Sequence, residues 1–258
     1  MPEGHTLTVV VLAYNSQNQI ENCLKSLVGF ADEVVVVDGF STDATLEICR
    51  KYGVKVIQHK FEGDFGQERN IGIDNAQGEW ILQLDTDEIV TEGFKKEVKR
   101  ILAEDSEFVA YKFLRKNFFM NHFMRYGGWY HYSLHFFKKG FARYKGKVHH
   151  DLIVDGKVGI INGEIEHYPF QDFSQFIERQ NRYTSLEAAE IAQLRPGISK
   201  KEVLYNIKLK PLKLFWKFYV KKKGFKEGMW GFIFAVLFAW VHFLKWSKVW
   251  AILKDANE

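Results

Sequence analysis

Leu7-Thr8-Val9-Val10-Val11-Leu12-Ala13, followed at once by Tyr14-Asn15, decides the fold. An unbroken, β-branched apolar run suits a strand covered on both faces, as in a parallel sheet. Working outward, Ile20, Cys23, Leu24 and Leu27 form one helical stripe, with Ser16 placed to cap it. Residues 33–37 (EVVVV) predict a second strand ending at Asp38-Gly39, and Thr42 or Asp43 can cap the helix carrying Leu46, Ile48 and Cys49. Residues 54–57 predict a third strand, and residues 69–76 a helix that opens on Arg69 and Asn70. That helix leads into the apolar run 78–84. This βαβ alternation predicts a mostly parallel sheet with helices on both faces. Ligands of such sheets bind beyond the carboxyl ends of the strands. Three polar strand ends then share one rim: Tyr14-Asn15, residues 38–43, and Asp85-Thr86-Asp87-Glu88.

The last of these ends is the most informative. Carboxylates one residue apart cannot both enter a core unpaired, because burying an unpaired charge is too costly. They can share a hard divalent cation, which one or two carboxylates hold together with the oxygens of a bound diphosphate. A solvated acidic turn is the plainer reading of the same residues. The other two strand ends on the rim favour the site.

The chain of 258 residues is 47% hydrophobic, enough for one large α/β domain with an appendage, and it does not read as disordered. Its two cysteines, Cys23 and Cys49, fall among apolar residues and read as buried small hydrophobes in a reducing compartment. The first residues show no secretory signal, so a cytoplasmic location is expected. The net charge of +4 hides an asymmetry: from Arg195 to Lys226 eleven bases face Glu202 alone. An aromatic and basic stretch, 108–152, follows the alternating half. Helical periodicity returns over 173–194, and Pro196-Gly197 marks a break. Residues 229–244 (MWGFIFAVLFAWVHFL) are the most apolar segment. They are shorter than the ~20 residues of a comfortable span. With Trp230, Trp240, Trp246 and Trp250 and the preceding lysines, they predict a helix lying in an anionic membrane surface. A buried helix or an oligomer interface is the alternative. Nucleic acid is not an expected partner, since the bases come with no reader motif.

Residues 9–15 (VVVLAYN), 37–45 (VDGFSTDAT), Arg69-Asn70-Ile71-Gly72 and the Asp85-Thr86-Asp87-Glu88 strand end, in that order, resemble the signatures of family 2 glycosyltransferases. The resemblance implies a GT-A fold, a nucleotide-diphosphate sugar donor, Mg²⁺ or Mn²⁺, and inversion at the anomeric carbon. Tyr126-Gly127-Gly128-Trp129-Tyr130, residues 146–149 (GKVH) and residues 180–183 (QNRY) are similar to a branch that includes lipopolysaccharide-core β-glucosyltransferases. Two departures stand out. Gly39 takes the place of an aspartate that meets the base in many members, and His150 stands where the related branch often has a glutamate.

The resulting expectations are concrete. Asp87 is the first metal ligand, with Asp85 assisting it or binding ribose. Tyr14, Asn15, Asp38, Asp43, Arg69 and Asn70 line the donor. Trp129 and Tyr130, after two glycines, wall the acceptor by stacking on sugar. A general base must reach the acceptor hydroxyl. Asp151 is the first candidate and His149 or His150 the rival; the same cluster could be a metal site or a hydrogen-bonded loop. The domain expectation is 1–194 for the GT-A domain, with a donor half 1–104 and an acceptor half 105–194, then 195–258 as a basic helical tail. The expected activity is sugar transfer to a lipid-linked saccharide such as lipopolysaccharide core, at the cytoplasmic face of the inner membrane. Transfer to a polyprenyl-phosphate carrier, or an inactive sugar-nucleotide-binding membrane adaptor, are the rivals.

Overall fold

A computed structural model describes residues 5–146 and 151–255. Among these residues the chain forms two compact units, Met1–Arg115 with His131–His167, and Lys116–Tyr130 with Tyr168–Glu258. The helix at 173–194, placed with the GT-A domain from the sequence, belongs to the second unit together with the tail.

The first unit is built on the predicted alternation: β1 (Leu7–Ala13), α1 (Ile20–Leu27), β2 (Glu33–Asp38), α2 (Thr45–Lys51), β3 (Lys55–Gln58), α3 (Phe65–Asn75) and β4 (Trp80–Asp85). Strands β3, β2, β1 and β4 lie side by side and parallel. Residues of β1 divide between two cores: Val9 and Val11 pack with Cys23, Leu24 and Leu82, while Val10 packs with Val35, Val37 and Ile73. That two-sided burial is why the run lacks polar alternation. Beyond β4 the sheet turns antiparallel. After β5 (Glu88–Val90) and α4 (Glu92–Ala103), the aromatic stretch supplies β6 (Phe108–Phe119), β7 (His122–Phe123) and β8 (His131–Lys138). The strands β9 (Ala142–Lys145), β10 (Asp151–Val154) and β11 (Lys157–Phe170) complete the set. The order continues from β4 through β8, β6 and β11 to β5, and β10 pairs with β9 in a separate hairpin. The architecture is the mixed α/β one expected, its parallel half carrying helices.

Local capping departs from expectation. Helix α1 starts at Ile20, whose N–H donates to the Ser16 carbonyl, so Ser16 acts through its backbone and not as a side-chain cap. Helix α3 starts four residues before Arg69, with Asp64 as its cap accepting from the Gln67 N–H at 2.9 Å. Arg69 and Asn70 therefore stand inside the helix, turned towards the sheet. The turn carrying them lies against β1 because residue 72 is glycine.

The second unit is helical around an aromatic core. Helices α5 (Phe173–Leu194), α6 (Lys200–Lys208), α7 (Lys210–Trp216) and α8 (Gly228–Asp255) are joined by a π-helical turn, Lys217–Lys221, and a 3₁₀ turn, Gly224–Glu227. Phe119, Met124, Phe170, Phe176 and Phe234 form one buried cluster; Ala188, Val203, Trp246 and Val249 form another.

A Cβ on Gly72 would lie 2.1 Å from Val10 Cγ1 and 3.2 Å from Val37 Cγ2. Gly72→Ala is expected to destabilise the chain by about 2 kcal/mol, because overpacking must push α3 off the strands. Urea unfolding of the two proteins checks this.

Candidate active site

Asp85 ends β4, two residues make the turn, and Glu88 opens β5. The Asp85 N–H donates to Glu88 Oε2 at 2.9 Å and closes the turn. These acids do not make the solvated turn of the plainer reading: Thr86, Asp87 and Glu88 are buried. What permits it is pairing. Arg69, from the middle of α3, donates from Nη2 to Asp85 Oδ1 at 2.8 Å. Arg115, from β6, sets Nε 2.8 Å from Glu88 Oε1 and Nη2 3.8 Å from Asp85 Oδ2. His167, from β11, brings Nε2 to 3.4 Å from Asp87 Oδ1. Three carboxylates thus meet two guanidiniums and one imidazole.

The electrostatics follow from that arrangement. Burial alone would raise the pKa of Asp85, but Arg69, then Arg115, outweigh burial and neighbouring Asp87 and hold it below the ordinary carboxylate range. Glu88 goes the other way: burial dominates and pushes it up, although Arg115 opposes. The guanidinium of Arg69 also lies 5.5 Å from the ring centre of Tyr144, whose hydroxyl is 2.7 Å from His135 Nδ1.

The remaining expected donor residues hold their own loops. Asp38 is fully buried. Its carboxylate accepts from the Ser41 N–H at 3.0 Å and from Gln58 Nε2 at 3.3 Å. Asp43 accepts from the Gln17 and Thr45 N–H groups at 3.1 and 3.0 Å, and Asn15 Oδ1 accepts from the Thr42 N–H at 2.8 Å. Asn70 spends its amide on the backbone of Tyr144, donating at 3.0 Å and accepting at 3.1 Å. Tyr14 differs: its side chain is exposed beside Gly39, where a Cβ would come 3.2 Å from the Tyr14 ring. Phe40 next to it is exposed too, and it holds a left-handed backbone at φ 63°, an outlier for a bulky residue. In register, Ala13 faces Asp38 and Leu12 faces Asp85, so the three strand ends are neighbours on one rim. A cleft of about 430 Å³ lined by Gly66, Asn70, Arg143 and Tyr144 opens between α3 and β9.

On the acceptor side the placement differs from expectation. Trp129 is drawn into the aromatic core of the second unit, stacked on Phe170 and 5.2 Å from Phe234, because Gly127 and Gly128 (φ 83° and 84°) turn the chain back on itself. Tyr130 meets Phe123 edge-on at 5.3 Å. Asp151 is exposed at the start of β10, paired in register with Lys145. His149 and His150 lie outside the described residues. Arg115, His135, Tyr144 and His167 are the site residues that sequence reading missed. They stand singly in strand-like stretches, with no spacing to mark them.

The family model for glycosyl transferase family 2 matches residues 8–190. The chain belongs to that family. Like this family 2 glycosyltransferase, the uncharacterized glycosyltransferase RT0209 of Rickettsia typhi spans nearly the whole length, with 24% identity over 97% of this chain and 89% of its own. The crystal structure of Staphylococcus aureus TarS 1-349 in complex with UDP is similar at TM-score 0.47 and 18% identity, over 98% of this chain and 91% of that one. Glucosyl-3-phosphoglycerate synthase of Mycobacterium tuberculosis, solved with Mn²⁺ and UDP, matches at TM-score 0.39 and 22% identity. The match covers 43% of this chain and 44% of that chain.

A divalent cation, implied by the family, can be tested against the residues present. Asp87 and His167 offer a carboxylate oxygen and an imidazole nitrogen 3.4 Å apart, both buried, a mixed donor set that suits Mn²⁺ better than the oxygen-seeking Mg²⁺. Among the described residues no three acidic, histidine or cysteine side chains form a complete cage. Two protein ligands plus diphosphate oxygens is the arrangement that remains. Asp85 pairs with Arg69 at 2.8 Å and has Arg115 3.8 Å away, while its side chain keeps 35% exposure.

Arg69→Met is expected to destabilise the chain by about 2 kcal/mol at pH 7. This is less than the roughly 3–5 kcal/mol of a fully buried pair, since the Asp85 side chain keeps 35% exposure. The sign with pH follows from the depressed pKa of Asp85. The pairing is fully present above the unfolded aspartate value of about 3.9 and is lost as pH falls through the lower folded value. Urea midpoints at pH 7 and near pH 3 should therefore differ more between wild type and variant at pH 7.

Proposed function

We propose that this family 2 glycosyltransferase moves a sugar from a nucleotide-diphosphate donor to a hydroxyl of a lipid-linked saccharide, such as lipopolysaccharide core. It acts with inversion, at the cytoplasmic face of the inner membrane. The observation that carries the reading is the buried acid turn with Asp87 facing His167 on the rim where β1, β2 and β4 end.

In this reading the exposed ring of Tyr14 lies against the nucleoside, and Asn15, Asp38 and Asp43 act by fixing the loops that shape the rim. Arg69 and Arg115 hold Asp85 ionised, and Arg115 keeps Glu88 in place. Asp87 and His167 would hold the cation, which when bound neutralises charge on the departing diphosphate. Inversion requires the acceptor hydroxyl to attack the anomeric carbon opposite the diphosphate, giving up its proton to a base. Asp151 remains the candidate for that base: it is exposed at the start of β10, so an acceptor can reach it. The lipid-linked acceptor is supported by the basic, apolar helices of the second unit.

The test is release of nucleoside diphosphate by the full chain from a panel of nucleotide sugars, with lipopolysaccharide extracts as acceptor. Turnover should fall at least a hundredfold in Asp87→Ala and vanish with chelator, returning with Mn²⁺ or Mg²⁺. Mn²⁺ binding followed by electron paramagnetic resonance, with UDP present, should weaken in both Asp87→Ala and His167→Ala. Turnover that survives chelator and Asp87→Ala would overturn the metal assignment. No turnover with any donor, despite nucleotide binding, would favour the adaptor.

A further inference from the structure

The C-terminal helices carry an apolar face that the second unit does not cover. Helix α8 is long and apolar enough to cross a membrane by length and composition, with a mean hydropathy of 1.5 over its best window. Its inner side is committed to protein. Phe234, Ala235, Trp246 and Val249 are buried, Lys245 pairs with Glu187 of α5 at 2.7 Å, and Lys248 donates to Asn181, Thr184 and Ser185 of α5. The opposite side is apolar as well. Met229, Phe232, Val236, Phe243 and Trp250 are all exposed, at spacings of three, four, seven and seven residues, which places them on one stripe.

A second stripe adjoins the first. Leu209, Leu212 and Trp216 are exposed at spacings of three and four along α7. The two stripes meet through Phe215 and Tyr219, each 5.8 Å from Phe232. Residues 203–226 hold eight lysines and no acid. Lys213, Lys217 and Lys221 are exposed one register step from the α7 stripe. Contiguous exposed apolar surface of this extent marks an interaction site.

We infer that this two-stripe face docks on an anionic lipid bilayer, with α7 and α8 lying in the interface and the lysines on headgroup phosphates. The lysines decide the occupant. Two copies meeting through this face would bring Lys213, Lys217 and Lys221 of each together, six like charges, whereas an anionic leaflet complements them. The inner contacts decide the orientation. A spanning α8 would have to strip Lys245 and Lys248 from their α5 partners and carry them into hydrocarbon; a helix lying flat keeps them. The inference deepens the membrane reading above but rests on residues separate from the acid turn.

Flotation of the full chain with vesicles tests it. Wild type should float with phosphatidylcholine vesicles containing about a quarter phosphatidylglycerol, and not with pure phosphatidylcholine. The triple reversal Lys213→Glu, Lys217→Glu, Lys221→Glu should weaken binding about a hundredfold, near fivefold or more per charge. Leu212→Ser with Trp216→Ser should weaken it about tenfold or more, through lost apolar burial. Unchanged unfolding midpoints and unchanged Mn²⁺ binding with UDP, which reports on the first unit alone, show that these variants are folded. Asp87→Ala should float like wild type, so failed docking and failed catalysis are told apart. Equal binding to neutral vesicles, binding indifferent to both sets of variants, or a vesicle-free dimer that the variants dissolve would overturn the inference. Resistance to alkaline carbonate extraction would do the same, in favour of a span.

Discussion

The pairing of the buried acid turn with Arg69 and Arg115 is the constraint on which the first unit depends. Asp85, Asp87 and Glu88 sit where the parallel half of the sheet gives way to the antiparallel half, so the turn cannot be moved to the surface without breaking both. Burying three carboxylates there is tolerable only if cations come with them. One comes from the middle of α3 and one from β6, and an imidazole from β11 stands beside Asp87. Each of those elements is therefore fixed in register by electrostatics as well as by packing. Gly72 shows the packing side of the same bargain: it lets α3 sit close enough to β1 for Arg69 to reach.

This explains what was legible in the sequence. The strands β1, β2 and β4 and the stripe of α1 follow from periodicity, because burial on one or two faces writes itself directly into residue order. Asp85 and Asp87 stood out because acids at the end of an apolar run break that order. The neutralising partners did not. Arg115 and His167 lie 27 and 80 residues beyond Glu88 and Asp87 in strands whose pairing is non-local, and a lone base in a strand carries no period. The plainer alternative of a solvated turn holds only for unpaired carboxylates, and nothing in residue order marks their partners. The start of α3 was misplaced for a related reason. Its first turn, Phe65-Gly66-Gln67-Glu68, has no apolar stripe, and only the Asp64 cap marks it.

The second unit shows the opposite limit. Its apolar and basic content was plain, and so was the helix at 173–194, but composition does not say which side of a helix is covered. Trp129 was assigned to an exposed wall on the strength of two flanking glycines. Those same glycines, at positive φ, are what turn its indole into the core. Permissive backbone allows a side chain to point either way, so glycine beside an aromatic marks a turn and not an exposure.

Electroneutrality also separates the roles of the acids in the turn. Arg69 and Arg115 pair with Asp85 and Glu88, while the neighbour 3.4 Å from Asp87 is an imidazole. A guanidinium in that position would have closed the site, since it is always protonated and cannot donate a lone pair. An imidazole, by contrast, can serve as a ligand through its neutral nitrogen. The two ends of the turn are therefore held by arginines, and its middle faces an imidazole. In the proposed reading, that arrangement would suit a cation that binds with each donor and leaves with each product.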